Sequence, residues 1–168
     1  MGTRGIHHVG IAVADLDSAV ETYQRLFGAE LEHRETVPDQ GVEAVSLRVG
    51  TGRIELLASL GPDTPVGKFL AKRGPGVHHV AFRTPDETQY HAWAQHLTAL
   101  RIPNSGEIDR FYFRSLYFRE PNGILFEIAS DGPGFAADEP MEKLGERLAL
   151  PPFLEPRRAE IEAGLRPI

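Results

Sequence analysis

Two stretches of the chain repeat one another 71 residues apart: Ile6-His7-His8-Val9-Gly10-Ile11-Ala12-Val13 and Val77-His78-His79-Val80-Ala81-Phe82-Arg83-Thr84. A repeat at fixed spacing constrains a fold strongly, because each unit buries its apolar face against its twin. Both copies are β-branched and apolar enough for a strand, and each is followed by an acidic turn and an amphipathic stretch. In the first copy Asp15 or Asp17 caps a helix that runs to about Phe27, where Gly28 stops it. In the second, Asp86 caps a helix through Trp93 and Leu97 to about Leu100, with Pro103 beyond its end. Three strand-like runs follow in each copy, at 29–37, 42–49 and 53–58, and at 104–109, 112–119 and 124–130. Gly50-Thr51-Gly52 and Pro121-Asn122-Gly123 are the matching hairpin turns. The last strands also correspond, Arg53-Ile54-Glu55-Leu56-Leu57 with Leu125-Phe126-Glu127-Ile128-Ala129.

The pattern reads as α+β, with βαβββ occurring twice in one domain over residues 1–135. Module one covers 5–60, a linker with its own short helix near Pro65 to Lys72 covers 61–76, and module two covers 77–130. A tail over 136–168 is rich in proline and charge, with expected helices near 138–148 and 155–164. It packs on the domain or on a partner subunit. Its apolar residues Leu144, Leu148, Leu150, Phe153 and Leu154 need cover, which suggests a homodimer.

The repeat places one histidine on the first strand and one glutamate on the last strand of each unit. Strand alternation predicts His8 and His79 on one face and His7 and His78 on the other. Glu55 and Glu127 are carboxylates inside apolar strands, costly unless paired or bound to a metal. Two imidazoles and two carboxylates related by a pseudo-twofold make a candidate divalent-metal site: His8, Glu55, His79 and Glu127. An N/O donor set without sulfur suits Fe(II), Mn(II), Co(II), Ni(II) or Zn(II). Taken singly, a strand histidine is usually a core or surface residue, and an apolar-flanked glutamate is usually an ion pair. It is their joint repetition that points to a metal.

Composition removes other classes. With 18 basic and 24 acidic residues and no basic cluster longer than a pair such as Arg157-Arg158, a nucleic-acid surface is not expected. The chain has no cysteine, which excludes disulfides, thiolate sites and cysteine nucleophiles. No stretch approaches the 18 apolar residues of a membrane span, and no signal peptide is visible, so a cytoplasmic location is expected.

At this point the residues resemble the vicinal oxygen chelate superfamily, in which paired βαβββ modules form a sheet cup around a metal. The resemblance divides along the chain. Residues 6–83 resemble methylmalonyl-CoA epimerases through His8-Val9-Gly10-Ile11-Ala12-Val13, Gln40-Gly41-Val42, Ile54-Glu55-Leu56-Leu57, and Asp63 to Lys72 before Gly76-Val77-His78-His79. That resemblance implies all four ligands on a divalent metal that stabilises a thioester enolate, with an acyl-CoA as substrate. Residues 77–168 resemble the C-terminal part of hydroquinone-type ring-cleaving dioxygenases. The carrying stretches are Asp109 to Pro121, Leu125-Phe126-Glu127-Ile128-Ala129, Asp131-Gly132-Pro133-Gly134-Phe135 and Leu150 to Arg158. That resemblance implies His8, His79 and Glu127 as a facial triad on Fe(II), an aromatic diol as substrate, and His7, His78, Arg110 and Tyr117 as catalytic residues around the metal.

Three departures count against the epimerase. His7 stands where an Asp or Asn is usual, Arg110 to Arg114 replaces a glycine-rich substrate loop, and Ala44 stands where many bacterial members carry a glutamate. Glu43, one step off, should face the other way. Glu55 counts against the dioxygenase, because a fourth protein ligand leaves one open position fewer. Two modules, where the large dioxygenases have four, count against it as well. A third reading, a metal-free binder of small aromatic molecules, sits poorly with the retention of all four ligand residues. The favoured reading is an Fe(II) ring-cleaving dioxygenase, and an epimerase-like isomerase is the alternative.

Overall fold

The computed structural model describes residues 2–164. Helix punctuation sets the elements. Asp15 accepts a hydrogen bond from the Ser18 amide at 2.7 Å, and Gly28 closes the helix in the left-handed conformation. The first module is β1 (Ile6–Ala12), α1 (Leu16–Phe27), β2 (Glu30–Val37), β3 (Val42–Val49) and β4 (Gly52–Ser59). The linker carries α2 (Pro65–Arg73). The second module is β5 (Gly76–Thr84), α3 (Glu87–Ala99), β6 (Ile108–Asp109), β7 (Arg114–Arg119) and β8 (Leu125–Ser130).

All eight strands form one open sheet in the order β2-β3-β4-β1-β5-β8-β7-β6. β1 and β5 pair antiparallel at the centre. β1 runs parallel to β4, and β5 runs parallel to β8. The expected pairing of two βαβββ units is therefore seen, joined edge to edge through their first strands. One face carries α1 and α3. Leu16 of α1 packs with Val45, Leu47 and Leu56, and Tyr90 and Leu97 of α3 pack with Leu116 and Ile128. The opposite face carries the four candidate ligands.

α2 lies on that opposite face. Val66, Phe69 and Leu70 pack over Ala12, Val42, Ala44 and Leu57. Its start is held by a polar turn: Thr64 caps the Gly67 amide, Ser59 and Thr64 share a hydroxyl contact of 2.6 Å, and the Leu60 amide donates to the Gly41 carbonyl at 2.9 Å. Gly67 is part of this lock, since a side-chain carbon there would overlap the Gly61 carbonyl and crowd the Ser59 hydroxyl.

The structure departs from the sequence reading in three places. The run expected as a strand over 104–109 keeps only Ile108–Asp109 plus an isolated bridge from Asn104 to Phe118. The Asn104 carboxamide donates to the Ile102 carbonyl and accepts from the Gly106 amide, so the chain turns. The strand expected over 112–119 begins at Arg114. Ahead of it Phe111 has a φ of 71°, Asp109 accepts from its amide, and the Tyr112 amide donates to the Arg110 carbonyl. This is a tight γ-turn rather than extended chain. The helix expected near 138–148 shrinks to a 3₁₀ turn at Met141–Lys143. There Gly145 takes a φ of 83°, and the buried Glu139 carboxylate pulls the chain inward onto Arg147.

At the other end of the tail a 3₁₀ turn at Glu155–Arg157 leads into α4 (Arg158–Gly164). The tail is fastened at its start. The Tyr112 hydroxyl donates to Asp138 at 2.8 Å, and the Gly134 amide donates to the Tyr112 carbonyl at 2.7 Å. Among the described residues no helix is long and apolar enough to cross a membrane.

The lock at α2 makes a prediction whose sign runs against helix propensity. Alanine in a helix interior is favoured over glycine by roughly 1 kcal/mol, whereas overpacking typically costs about 1–3 kcal/mol. Gly67→Ala is expected to lower the unfolding free energy in chemical denaturation. A rise would mean that α2 does not dock as described.

Candidate metal centre

The site is built by the β1–β5 pairing. Gly10 lies opposite His79 and beside Glu55, while Ala81 lies opposite His8 and beside Glu127. Small residues at 10 and 81 leave room for imidazoles above them. At Gly10 the requirement is strict, because a side-chain carbon there would overlap the His79 ring.

The four candidate ligands converge. Nε2 of His8 and Nε2 of His79 are 2.9 Å apart, and the Glu55 carboxylate lies 3.5 Å from the first and 3.7 Å from the second. One donor atom from each of these three residues falls within 4.8 Å of the others, a spacing that one ion can bridge. Glu127 joins through His79, with its Oε2 3.6 Å from Nε2. Its Oε1 accepts from the Tyr117 hydroxyl at 3.1 Å.

His7 and His78 do not point away as strand alternation predicts. Nδ1 of His7 lies 2.9 Å from Nδ1 of His8, and Nδ1 of His78 lies 3.0 Å from Nδ1 of His79. The cause is a pair of register shifts in the β1–β5 ladder. One falls between Ile6 and His8; the other, between Gly10 and Ile11, skips His78 on β5. Each shift inserts one unpaired residue, breaks the alternation, and turns the extra histidine back toward its neighbour. The four imidazoles therefore form a continuous row: His7, His8, His79, His78.

Arg110 and Tyr117 also reach the site. Nε of Arg110 donates to the Ser115 hydroxyl at 3.3 Å, and the guanidinium charge acts on both Tyr117 and Glu127. All eight residues singled out in the sequence thus lie in one region of the cup face. The sequence reading missed Gly10 and Ser115, and it expected the linker helix without assigning it to the cup. A glycine inside a strand was the available signal for the first.

Burial dominates the electrostatics. It lowers His8 to about 4, helped by the nearby His7, and His79 to about 3, helped by His8 and His78, so both stay neutral with a lone pair to offer. Burial also lowers His7 and His78. It raises Glu55 to about 7, with Glu127's charge adding to the rise. It raises Glu127 to about 7 against the opposing pull of the Tyr117 hydrogen bond and Arg110. Tyr117 is pushed up by burial and by Glu127, so it stays protonated and donates. A buried carboxylate at Glu127 and a half-buried one at Glu55, facing two neutral imidazoles with no sulfur, fit a divalent cation held by N and O donors.

Known proteins agree with this picture. Residues 5–128 match the Glyoxalase/Bleomycin resistance protein/Dioxygenase superfamily. The chain is 43% identical over 165 residues to a Bacillus subtilis protein named ring-cleaving dioxygenase MhqA, which covers 98% of this chain and 52% of that protein. It therefore spans about half the length of that relative. It is 38% identical over 76 residues to human mitochondrial methylmalonyl-CoA epimerase, covering 45% of this chain and 43% of that one. In solved structures, methylmalonyl-CoA epimerase from Mycobacterium tuberculosis superposes with a TM-score of 0.70 at 34% identity, over 80% of this chain and 93% of that chain.

His79 touches His8, His78 and one carboxylate from each module, so His79→Ala is expected to abolish stoichiometric divalent-metal binding. Elemental analysis after dialysis reads the occupancy. Metal at 100-fold its Kd should add about 2.7 kcal/mol to the wild-type unfolding free energy and nothing to the variant. Full occupancy of His79→Ala would remove the site.

Proposed function

Because the chain belongs to the Glyoxalase/Bleomycin resistance protein/Dioxygenase superfamily, we propose that it is an Fe(II) dioxygenase that opens the ring of a hydroquinone- or catechol-type aromatic. The observation that carries this reading is the wall on the module-two side of the cup: a protonated Tyr117 donating to Glu127, with Arg110 beside both. The likeness to the dioxygenase relative supports it, since it runs through this wall and into the tail.

In this reading His8, His79 and Glu127 would hold the metal, with the Glu55 carboxylate from module one beside them and not on it. Bound Fe(II) supplies a Lewis acid for a phenol oxygen and a centre that reacts with O2. The chain's own residues do the rest. Nδ1–H of His8 and of His79, each donated to the adjacent histidine, leaves Nε2 as the lone pair and fixes the plane of the ring. Arg110 offsets negative charge that develops on substrate oxygen. Tyr117 holds one oxygen of Glu127 and keeps a hydroxyl at the edge of the cup. One ring C–C bond breaks and both atoms of O2 remain in the opened product, so no external reductant is consumed.

The alternative, an epimerase-like isomerase, is favoured by one observation. Glu55 sits inside the tight donor cluster, with a second carboxylate opposite it. His8, Glu55, His79 and Glu127 together on one divalent ion are the ligand set that the epimerase resemblance implies.

One paired assay separates the two. Protein loaded anaerobically with Fe(II) is expected to take up O2 with a panel of substituted hydroquinones and catechols. No uptake, together with deuterium incorporation at C2 of methylmalonyl-CoA, would reverse the assignment. The enzyme is further proposed to act as a homodimer. Leu144 and Phe153 of the tail are 40% and 59% exposed, enough apolar surface to favour a partner. Light scattering at micromolar concentration should give twice the mass of the chain, and the mass of one chain would overturn the dimer.

A further inference from the structure

The pseudo-twofold that relates the two histidine pairs is broken by α2. His78 packs against the ring of Phe69, with centroids 5.0 Å apart and planes at 75°, an edge-to-face contact. Phe69 comes from α2, and α2 is fixed from module one by the Thr64 cap, the Ser59 hydroxyl and the close approach of Gly67. The counterpart His7 is set differently. It feels the charges of Arg83, Arg53, Asp131 and Glu32, residues at the other end of the cup.

We propose that Phe69 is a positioning residue for the metal site, holding His78 so that His78 in turn orients the His79 ring. The inference rests on the reading of His79 as a metal ligand. The path is short and continuous. The Phe69 ring fixes the plane of His78, and Nδ1 of His78 lies 3.0 Å from Nδ1 of His79. A proton on His79 Nδ1, directed there, leaves Nε2 as the lone pair toward His8 and the two carboxylates. Because Phe69 belongs to the linker and the His78-His79 pair to module two, the ligand geometry also reports on how the linker docks. A misplaced α2 would leave His78 free to rotate and His79 free to take the other tautomer.

Packing alone would also make Phe69 matter, since it shares an apolar cluster with Leu70 over Ala12 and Leu57. The test therefore uses Leu70 as the matched control: it lies in the same cluster, on the same helix, and outside the histidine row. Co(II) is titrated into the purified wild-type chain, Phe69→Ala, Phe69→Tyr and Leu70→Ala, following the visible spectrum of the bound ion and the thermal midpoint without metal. Phe69→Ala is expected to raise the Co(II) Kd at least about tenfold, the size of losses seen when an orienting partner of a metal ligand is removed, and to change the band shape. Phe69→Tyr keeps the ring edge and should restore both. Leu70→Ala should lower the thermal midpoint and leave Kd and spectrum as in wild type.

Wild-type affinity and spectrum in Phe69→Ala would overturn the proposal, as would equal weakening in Leu70→Ala. Should Phe69→Ala not fold, Phe69→Leu takes its place, with the same expectation and the same overturning result. Failure of the wild type itself to bind Co(II) would strike the metal reading instead, so the two failures are distinct.

Discussion

Everything at the candidate centre depends on the antiparallel contact between β1 and β5. Neither module can assemble the site alone, because each supplies one ligand histidine and one carboxylate, and it is this central ladder that sets the two histidines 2.9 Å apart. The ladder is not regular. Each strand carries one residue too many, a histidine, and the two extra residues sit at equivalent places in the repeat. A regular ladder would have turned His7 and His78 to the helix-bearing face, among the apolar residues beneath α1 and α3. The two shifts bring them back beside the ligands. The cost is two lost ladder positions, and the gain is a hydrogen-bond partner for Nδ1 of each ligand imidazole.

The charge balance of the cup follows from this geometry. Four imidazoles in a row must be mostly neutral, because burial and mutual repulsion oppose protonation. The two carboxylates face them from opposite modules and repel each other, which is part of why Glu55 titrates near neutrality. Burying an ion costs several kcal/mol, and two like charges across a small cup cost more. A dication would offset both at once, which is why this set of burials fits a metal site.

Much of this was legible in the sequence, and the limits have physical reasons. The repeat, the helix caps at Asp15 and Asp86 and the inward faces of Glu55 and Glu127 all follow from local chemistry and period, and they appear where expected. The positions of His7 and His78 do not, because a register shift belongs to a pair of strands 71 residues apart, and alternation within either strand alone cannot register it. Gly10 carried a partial signal, a glycine where a strand would favour a side chain. Tyr112 and Phe113 looked like the start of a strand because they are aromatic and β-favouring. The positive φ at Phe111 is imposed by the Asp109 carboxylate and the tail contact at Tyr112. The tail resisted reading because its course is set by one buried acid, Glu139, whose partner Arg147 looks like an ordinary surface residue.

The asymmetry between the two carboxylates carries the functional argument further than the ligand list does. Glu127 is held by the Tyr117 hydroxyl at Oε1 and faces His79 with Oε2. Glu55 lies beside His8 and His79 through Oε2. In the proposed centre His8, His79 and Glu127 would be the held part and Glu55 the adjustable part. A divalent ion held by Glu55 as well would have fewer open positions, which would suit a chelating thioester. Without Glu55 one more position would be open, which would suit a chelating diol plus O2. The position of Glu55 on β4 is therefore what would divide the two proposed chemistries.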